Sequence, residues 1–238
     1  MEERTTPFGK LTSRTVGADR PSTLVVLCHG YGAPGTDLVP LAGELERMAP
    51  GLMKKTRFIF PQAPIELAMM GGFGARAWWD IDVGRFETAI RQNRLRELCA
   101  EEPDGLAKAR RQMMAGLEEA LAQTGLEPGQ VVLGGFSQGA MLTTDLALRL
   151  EEAPAALAIL SGTLVCERRW RRRARLRSGL RILQAHGRQD PILPFETARW
   201  LRDLLLESGL SVDFLPFDGG HTIDRQTLAS LARLIAES

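Results

Sequence analysis

Apolar and polar positions alternate along the chain in a way that separates short strands from longer helices. Short apolar runs rich in β-branched residues predict strands over 22–28, 56–60, 131–134, 156–160, 180–185 and 212–217. Longer segments with helical patterning predict helices over 37–48, 104–124, 140–150, 195–207 and 222–236. A further strand is predicted around 10–16, at the edge of the sheet.

The predicted strands and helices follow one another in regular alternation. The runs 24–28, 131–133 and 156–160 are nearly continuous in apolar residues, as expected for parallel strands that are covered on both faces. The alternation therefore predicts an α/β fold in three layers, with a mostly parallel central sheet and helices on both sides. Nothing in the sequence divides the chain, so we expect one domain over residues 1–238.

The composition is that of an ordinary globular protein. The chain has 238 residues, 44% of them hydrophobic, and a net charge of +1, which gives no reason to expect nucleic acid as a partner. Cys28, Cys99 and Cys166 lack paired spacing, which argues against a disulfide framework or a zinc site. A reducing, cytoplasmic location is the expectation, because we find neither a signal-peptide pattern nor an apolar stretch long enough to span a bilayer.

The most informative motif lies between a predicted strand and a predicted helix. Gly135, Ser137 and Gly139 form the pattern Gly-x-Ser-x-Gly, the nucleophile elbow of serine hydrolases. The turn must be sharp for the hydroxyl to stand clear of the sheet, and side chains two positions before and after the serine would collide there. Ser137 is therefore the predicted nucleophile, at the carboxyl end of a strand where ligands bind in open α/β sheets.

A serine nucleophile needs a histidine base. In elbow hydrolases the chain order is serine, then acid, then histidine, which excludes His29. His186 ends a strand and has no acid on a suitable loop between itself and Ser137, so we interpret it as a buried structural histidine. His221 follows the last strand within a glycine-rich turn, and we predict that it is the base.

The acid must orient the base and balance its charge. Asp190 lies on an earlier loop at a strand end and is our prediction. Asp218 is the competitor, because it is close to His221 in sequence, but it belongs to the same loop as His221. An aspartate that caps a turn before Pro191 is the structural alternative for Asp190.

The tetrahedral intermediate needs backbone N–H donors for its oxyanion. One should be the amide of Gln138, directly after the nucleophile. The other should come from the loop that follows the first predicted strand, where Gly30 and Gly32 allow close approach of the backbone, and we choose Tyr31. An ordinary glycine-rich turn is the alternative for this loop.

Several motifs together resemble the acyl-protein thioesterase and small carboxylesterase branch of the α/β-hydrolases, the phospholipase/carboxylesterase family. The matching motifs are Cys28-His29-Gly30-Tyr31-Gly32, Phe60-Pro61-Gln62-Ala63-Pro64, Trp78-Trp79-Asp80, Gly134-Gly135-Phe136-Ser137-Gln138-Gly139-Ala140, His186-Gly187-x-x-Asp190-Pro191 and Gly220-His221-Thr222-Ile223. The resemblance implies an α/β-hydrolase fold and hydrolysis of carboxylic esters or thioesters without metal or cofactor. It also implies Ser137, Asp190 and His221 as catalytic residues, with Tyr31 and Gln138 as oxyanion donors.

Three further segments are open to two interpretations each. Trp78 and Trp79, after the glycine-rich run 71–74, either wall an acyl pocket, or one packs in the core and the other is a partly exposed packing residue. Residues 83–103 are longer than the family's usual connection and have the spacing of an amphipathic helix, which either partly covers the site or packs on the outer helices. The arginine run from Arg168 to Arg177 either contacts an anionic surface or is a solvated loop or helix face, and we favour the solvated surface.

The sequence therefore predicts a serine hydrolase that cleaves esters through an acyl-enzyme on Ser137. A lysophospholipase or a peptidase with the same triad is the alternative among enzymes. A binding protein that keeps the fold without catalysis is the alternative from another class, and the intact order of serine, aspartate and histidine argues against it.

Overall fold

A large, mostly parallel sheet organises the molecule. The computed structural model describes residues 2–67 and 74–238. Its strands are β1 (Arg4–Phe8), β2 (Leu11–Gly17), β3 (Thr23–Cys28), β4 (Thr56–Pro61), β5 (Ile65–Glu66), β6 (Arg76–Ala77), β7 (Val131–Phe136), β8 (Ala156–Leu160), β9 (Arg181–Gly187) and β10 (Ser211–Phe217). The main sheet has the order β1-β2-β4-β3-β7-β8-β9-β10, in which β1 pairs antiparallel with β2 and β2 antiparallel with β4. The other six strands are parallel, so their carboxyl ends share one edge of the sheet.

Helices cover both faces of this sheet. They are α1 (Pro40–Met48), α2 (Leu52–Lys55), α3 (Val83–Arg91), α4 (Leu95–Ala100), α5 (Leu106–Thr124), α6 (Gln138–Ala147), α7 (Glu167–Ala174), α8 (Phe195–Glu207) and α9 (Arg225–Ala236). In β3, Leu24 and Val26 pack with the helices α5 to α8, whereas Val25 and Leu27 pack with α1, α2 and α9. The strand is buried on both faces, which explains its continuous apolar sequence.

The predicted α/β-hydrolase fold is confirmed. Each of the six predicted strands is present with small shifts at its ends, and the predicted helix 195–207 has the bounds expected. The other helices shift by a few residues. For example, α9 begins at Arg225 because the side chain of Asp224 accepts a hydrogen bond from the amide of Thr227 and caps the helix.

The edge of the sheet was predicted wrongly. The strand expected around 10–16 is β2, but it pairs with β1 on one side and β4 on the other. The edge strand is β1, which the pattern did not predict because only Phe8 among its residues is buried. Each of the two edge strands contains one proline, Pro7 in β1 and Pro216 in β10.

The segment 83–103 forms two short helices. Helix α4 lies against α7 and α8, and it buries Leu95 and Cys99. Arg96 pairs with Glu167 at 2.5 Å, which ties α4 to the start of α7. These contacts show α4 packed on the neighbouring helices α7 and α8, and whether the segment 83–103 partly covers the site stays a prediction.

The arginine run forms α7 and the turn after it. Trp170 and Ala174 are buried, and Arg169 and Arg171 form ion pairs with Glu102 and Glu207. The guanidinium group of Arg177 is turned inward onto backbone carbonyls, whereas Arg168 and Arg172 are exposed. Contact with an anionic surface stays a prediction. Within residues 2–67 and 74–238, no helix combines the length and the apolar character that crossing a membrane requires.

Candidate active site

A strained serine connects β7 to α6. Ser137 has φ +54° and ψ −118°, a conformation that L-residues rarely adopt and that costs about 1–3 kcal/mol. The two glycines of the motif make this turn sterically feasible. A Cβ atom on Gly135 would overlap the backbone of Gly139, and a Cβ atom on Gly139 would overlap the carbonyl group of Cys28. Gly135 is therefore required by close packing within the turn, and Gly139 by close packing of the turn against the end of β3.

A histidine and an aspartate from two neighbouring strand ends meet next to this turn. The Nδ1 atom of His221 lies 2.6 Å from Oδ2 of Asp190, and the His221 ring centroid lies 4.8 Å from that of Phe136, the residue before Ser137. The Asp190 carboxylate is fully buried, while 11% of the His221 side chain is exposed. The imidazole thus has one nitrogen fixed by the acid, and its ring lies beside the elbow.

The Asp190 carboxylate is held in its ionised form. Burial by itself raises its pKa, but hydrogen bonds from His186, His221 and the amide of Leu193 outweigh burial and leave the pKa well below its ordinary value. The amides of Ile192 and Leu193 donate to Oδ1 at 2.9 and 2.8 Å, so Oδ2 is left for the histidines. The turn-capping role that was the alternative for Asp190 is therefore also present, on the other oxygen.

His186 is a buried histidine, as the sequence predicts, but it also contacts the acid. Its Nε2 atom lies 2.8 Å from the carbonyl oxygen of Leu193 and 3.2 Å from Oδ2 of Asp190. Both neighbours are acceptors, so Nε2 carries the proton. From the sequence, His186 is interpreted only as a buried structural histidine, and this contact with Asp190 is not predicted.

Asp218, the competing acid, lies away from the base. Its side chain is 85% exposed, and its nearest cation is Arg188, with 3.6 Å between Nε and Oδ1. An exposed carboxylate of this kind cannot fix the tautomer of a partly buried imidazole. The geometry therefore favours Asp190 over Asp218.

The loop that carries His221 is fastened to the strand ends beside it. A Cβ atom on Gly187 would overlap the carbonyl groups of Gly219 and Gly220, so only glycine allows the acid loop and the histidine loop to approach this closely. The Ser161 hydroxyl, after β8, donates to the carbonyl oxygen of Thr222 at 2.9 Å. These contacts hold the loop of His221 against the carboxyl ends of β8 and β9.

Two backbone amides beside the elbow are free to bind an anion. Gln138 is the first residue of α6, and within the described residues neither its N–H nor that of Tyr31 donates to a protein acceptor. The amino terminus of α6 also carries the positive end of the helix dipole. The amides of Tyr31 and Gln138, the two predicted oxyanion donors, are therefore both available to bind an oxyanion.

His29 has a structural role next to these donors. Its Nε2 atom accepts a hydrogen bond from the amide of Ala63 at 3.1 Å, and Nδ1 lies 2.9 Å from the carbonyl oxygen of Gly30. Burial lowers the pKa of His29, which favours the neutral ring with its proton on Nδ1. His29 thereby anchors the loop that precedes Tyr31.

Trp78 and Trp79 are both buried, with exposed fractions of 2% and 3%. Neither is the partly exposed packing residue of the core interpretation, and a role as a wall of an acyl pocket stays a prediction. Residues 71–73 of the glycine-rich run that precedes them lie outside the described residues. The two tryptophans also make hydrogen bonds to the two predicted oxyanion loops, a role that the sequence did not show.

Metal-binding clusters and cysteine thiols are two other kinds of group that can carry chemistry. Over residues 2–67 and 74–238, the side chains do not form a cluster of three or more histidine, cysteine, aspartate or glutamate residues suited to a metal ion. Cys99 and Cys166 are buried, and burial raises the pKa of each thiol to about 12, which suppresses the reactive thiolate.

Comparison with known proteins agrees with this arrangement. The family model described as phospholipase/carboxylesterase matches residues 14–238. The chain belongs to this family. Acyl-protein thioesterase 1 of Aspergillus fumigatus is 28% identical over 226 residues, which cover 89% of this chain and 86% of that protein. Acyl-protein thioesterase 1 of Emericella nidulans is 28% identical over 194 residues, covering 78% and 77%.

Solved structures show the same fold. The crystal structure of esterase PE8 matches with a TM-score of 0.79 and 30% identity, covering 96% of this chain and 99% of that one. A carboxylesterase from Mesorhizobium loti matches with a TM-score of 0.74 and 20% identity over the whole of both chains, which shows the fold alone. The predicted family and the class of serine hydrolase acting on esters are confirmed.

Proposed function

We propose that the chain hydrolyses carboxylic esters and acyl thioesters through Ser137, with His221 as the base and Asp190 as the acid that orients it. The observation that carries the proposal is the 2.6 Å hydrogen bond between His221 and Asp190, made beside a strained elbow serine. The names of the thioesterase relatives support the thioester substrate.

Acylation begins with attack of the Ser137 Oγ atom on the acyl carbonyl carbon. His221 Nε2 takes the hydroxyl proton as the new C–O bond forms, and Asp190 stabilises the resulting imidazolium. The carbonyl oxygen becomes an oxyanion that accepts hydrogen bonds from the amides of Tyr31 and Gln138. The intermediate collapses when the bond to the leaving group breaks, and the leaving alcohol or thiol receives the proton from His221.

Deacylation repeats these steps with water as the nucleophile. His221 removes a proton from water, the hydroxide attacks the acyl carbon, and the same amides hold the second oxyanion. Collapse breaks the bond to Ser137 Oγ, which recovers its proton from His221, and the free acid leaves. Asp190 stays ionised throughout because its pKa is held low.

A labelling experiment tests the nucleophile. A fluorophosphonate probe should label wild-type protein and leave Ser137→Ala unlabelled, and the variant should keep its thermal transition. Labelling of folded Ser137→Ala at wild-type level would show that another residue is the nucleophile. A protein that takes no label at all would be a binding protein with a hydrolase fold.

A matched substrate panel tests the class of leaving group. An octanoyl p-nitrophenyl ester, an octanoyl thioester and a lysophospholipid present different leaving groups or head groups to the same site. We expect hydrolysis of both the simple ester and the thioester, each dependent on Ser137. Turnover of the lysophospholipid alone would replace the proposal by the lysophospholipase alternative.

A further inference from the structure

A short buried segment joins the two loops that carry the oxyanion donors. We call residues 76–79 the tryptophan segment, and it includes β6, Trp78 and Trp79. It comes between β4 and α5 in the sequence, yet it lies against both the loop after β3 and the start of α6. The tryptophan segment therefore contacts both the loop that contains Tyr31 and the residue Gln138.

The segment is bonded to the Tyr31 loop at three points. The amide of Gly32 donates to the carbonyl oxygen of Arg76 at 2.8 Å, and the amide of Arg76 donates to the carbonyl oxygen of Ala33 at 3.2 Å. The indole Nε1 of Trp78 donates to the carbonyl oxygen of His29 at 2.9 Å. The peptide that bears the Tyr31 amide is thus held by contacts on either side of it.

The segment is bonded to Gln138 at two points, and both use the side-chain amide. Oε1 of Gln138 accepts from the amide of Trp78 at 2.9 Å, and Nε2 donates to the carbonyl oxygen of Trp79 at 2.8 Å. The side chain is buried and bonded at both ends. Gln138 is thus fixed through atoms other than the N–H that it presents to an oxyanion.

We propose that the Gln138 side chain and the tryptophan segment together form a positioning device that sets the distance between the amides of Tyr31 and Gln138. This inference rests on the proposed esterase function. Three hydrogen bonds join the tryptophan segment to the Tyr31 loop, through Arg76 and Trp78, and two more join the segment to the side chain of Gln138. Neither the Gln138 side chain nor the indole of Trp78 touches the substrate, and both act through the backbone.

The distance matters because an oxyanion needs both donors at about 2.7–3.1 Å in the transition state. Donors that are fixed before the reaction cost no reorganisation when charge develops. Gly105, at the start of α5, lies so close to Trp79 that an added Cβ would come within 2.8 Å of the tryptophan Cβ. The tryptophan segment is therefore held by packing against the start of α5 as well as by its hydrogen bonds to the Tyr31 loop and Gln138.

The test removes the two side-chain bonds while keeping the volume. Gln138→Met deletes both hydrogen bonds to the segment but leaves the backbone N–H in place. We expect kcat for a p-nitrophenyl ester to fall about 10–100-fold, since loss of a whole oxyanion donor costs about 10²–10³. KM should stay within about threefold, and the inhibition constant of an alkylboronic acid, which forms a tetrahedral adduct on serine, should rise in step with the loss of kcat.

A second variant tests the other end of the device. Trp78→Phe keeps an aromatic ring, removes the bond from Nε1 to the carbonyl oxygen of His29 and leaves a small cavity in the core, and we expect a smaller loss, about 3–10-fold in kcat. The double variant should lose less than the product of the two single losses, because both changes release the same segment.

Gln184 provides the matched control. It is a buried glutamine on β9 whose Nε2 donates to the carbonyl oxygen of Ala198 at 2.8 Å, and it contacts neither donor loop. Gln184→Met should lower the thermal transition while kcat and the boronic acid constant stay within about twofold of wild type. This comparison separates loss of a buried amide from loss of the positioning device.

The outcomes separate the inference from the proposed function. Folded Gln138→Met and Trp78→Phe proteins with wild-type kcat and wild-type boronic acid affinity would overturn the inference and leave the esterase function standing. If Gln138→Met does not fold, Trp78→Phe and its boronic acid constant decide the question. Wild-type protein that hydrolyses neither ester nor thioester would overturn both.

Discussion

Asp190 and His221 are 31 positions apart in the chain, yet 2.6 Å separates the carboxylate oxygen from the imidazole nitrogen. They meet because β9 and β10 are parallel neighbours, with Gly187 opposite Phe217 at their carboxyl ends. Each residue lies on the loop that follows one of these strands. The loops are joined by the bond from the amide of Gln189 to the carbonyl oxygen of Gly219, at 3.0 Å.

This relationship predicts how two acidic residues differ in importance. Asp190→Asn should lower kcat severely, because asparagine cannot balance the imidazolium charge and favours the wrong tautomer of His221. The corresponding aspartate-to-asparagine change in the catalytic triad of serine proteases costs about 10⁴-fold. Asp218→Asn should leave kcat within about twofold, since its side chain is exposed and apart from the base. Steady-state ester hydrolysis measures both, and a larger loss in Asp218→Asn would contradict the assignment.

The low pKa of Asp190 also predicts how stability depends on pH. In the unfolded chain this carboxyl protonates near its ordinary value of 3.8, whereas in the native state it stays ionised to lower pH. Its stabilising contribution is therefore complete above about pH 5 and is lost as the pH falls through 3.8 and below. Urea denaturation should show a steeper loss of wild-type stability below about pH 4 than Asp190→Asn shows. Asp218→Asn is the control and should follow wild type, and parallel curves for all three proteins would contradict the prediction.

The strain at the elbow predicts a gain in stability when the nucleophile is replaced by glycine. Ser137→Gly removes the cost of the positive φ but makes the unfolded chain more flexible, so the free energy of unfolding should rise by about 1 kcal/mol. Ser137→Ala keeps the strain and should stay within about 0.5 kcal/mol of wild type. Both variants should lose esterase activity. Equal stability of the two, measured by chemical denaturation, would mean that the turn is not strained.

The packing of α4 predicts that the segment 83–103 contributes to stability. Leu95 is a buried residue of α4, and Leu95→Ala should lower the free energy of unfolding by about 2–4 kcal/mol. Val83→Ala is the control, because half of the Val83 side chain is exposed and its loss should cost about 0.5 kcal/mol or less. If Leu95→Ala also changed the preferred acyl chain length, α4 would contribute to the substrate site as well.

The individual site residues could be predicted from sequence because each has a local signature. The glycines around Ser137, the strand end before Asp190 and the glycine turn before His221 are all visible in a single sequence. Their connections were not predictable in the same way. The side-chain amide of Gln138 bonds to a segment some 60 residues earlier, and nothing in a local pattern shows which loops will be neighbours at the edge of a sheet.

The fold shows the same division. Buried central strands such as β3 can be predicted from their continuous apolar sequence. Strand β1, in contrast, has one buried residue and a proline, and its sequence pattern is that of a loop. The two tryptophans show that residue type alone does not fix a position. Residue type fits a pocket wall and a core equally well, and only the tertiary packing places Trp78 and Trp79 in the interior.

The prolines of the edge strands have a consequence for the behaviour of the protein in concentrated solution. Pro7 and Pro216 lack the N–H group with which a strand would continue its ladder to a further chain. A strand of a second molecule that paired with β1 or β10 would lack one backbone N–H donor at the position of the proline. Growth of the sheet by a strand from another molecule is therefore disfavoured at each of its two edges by one proline.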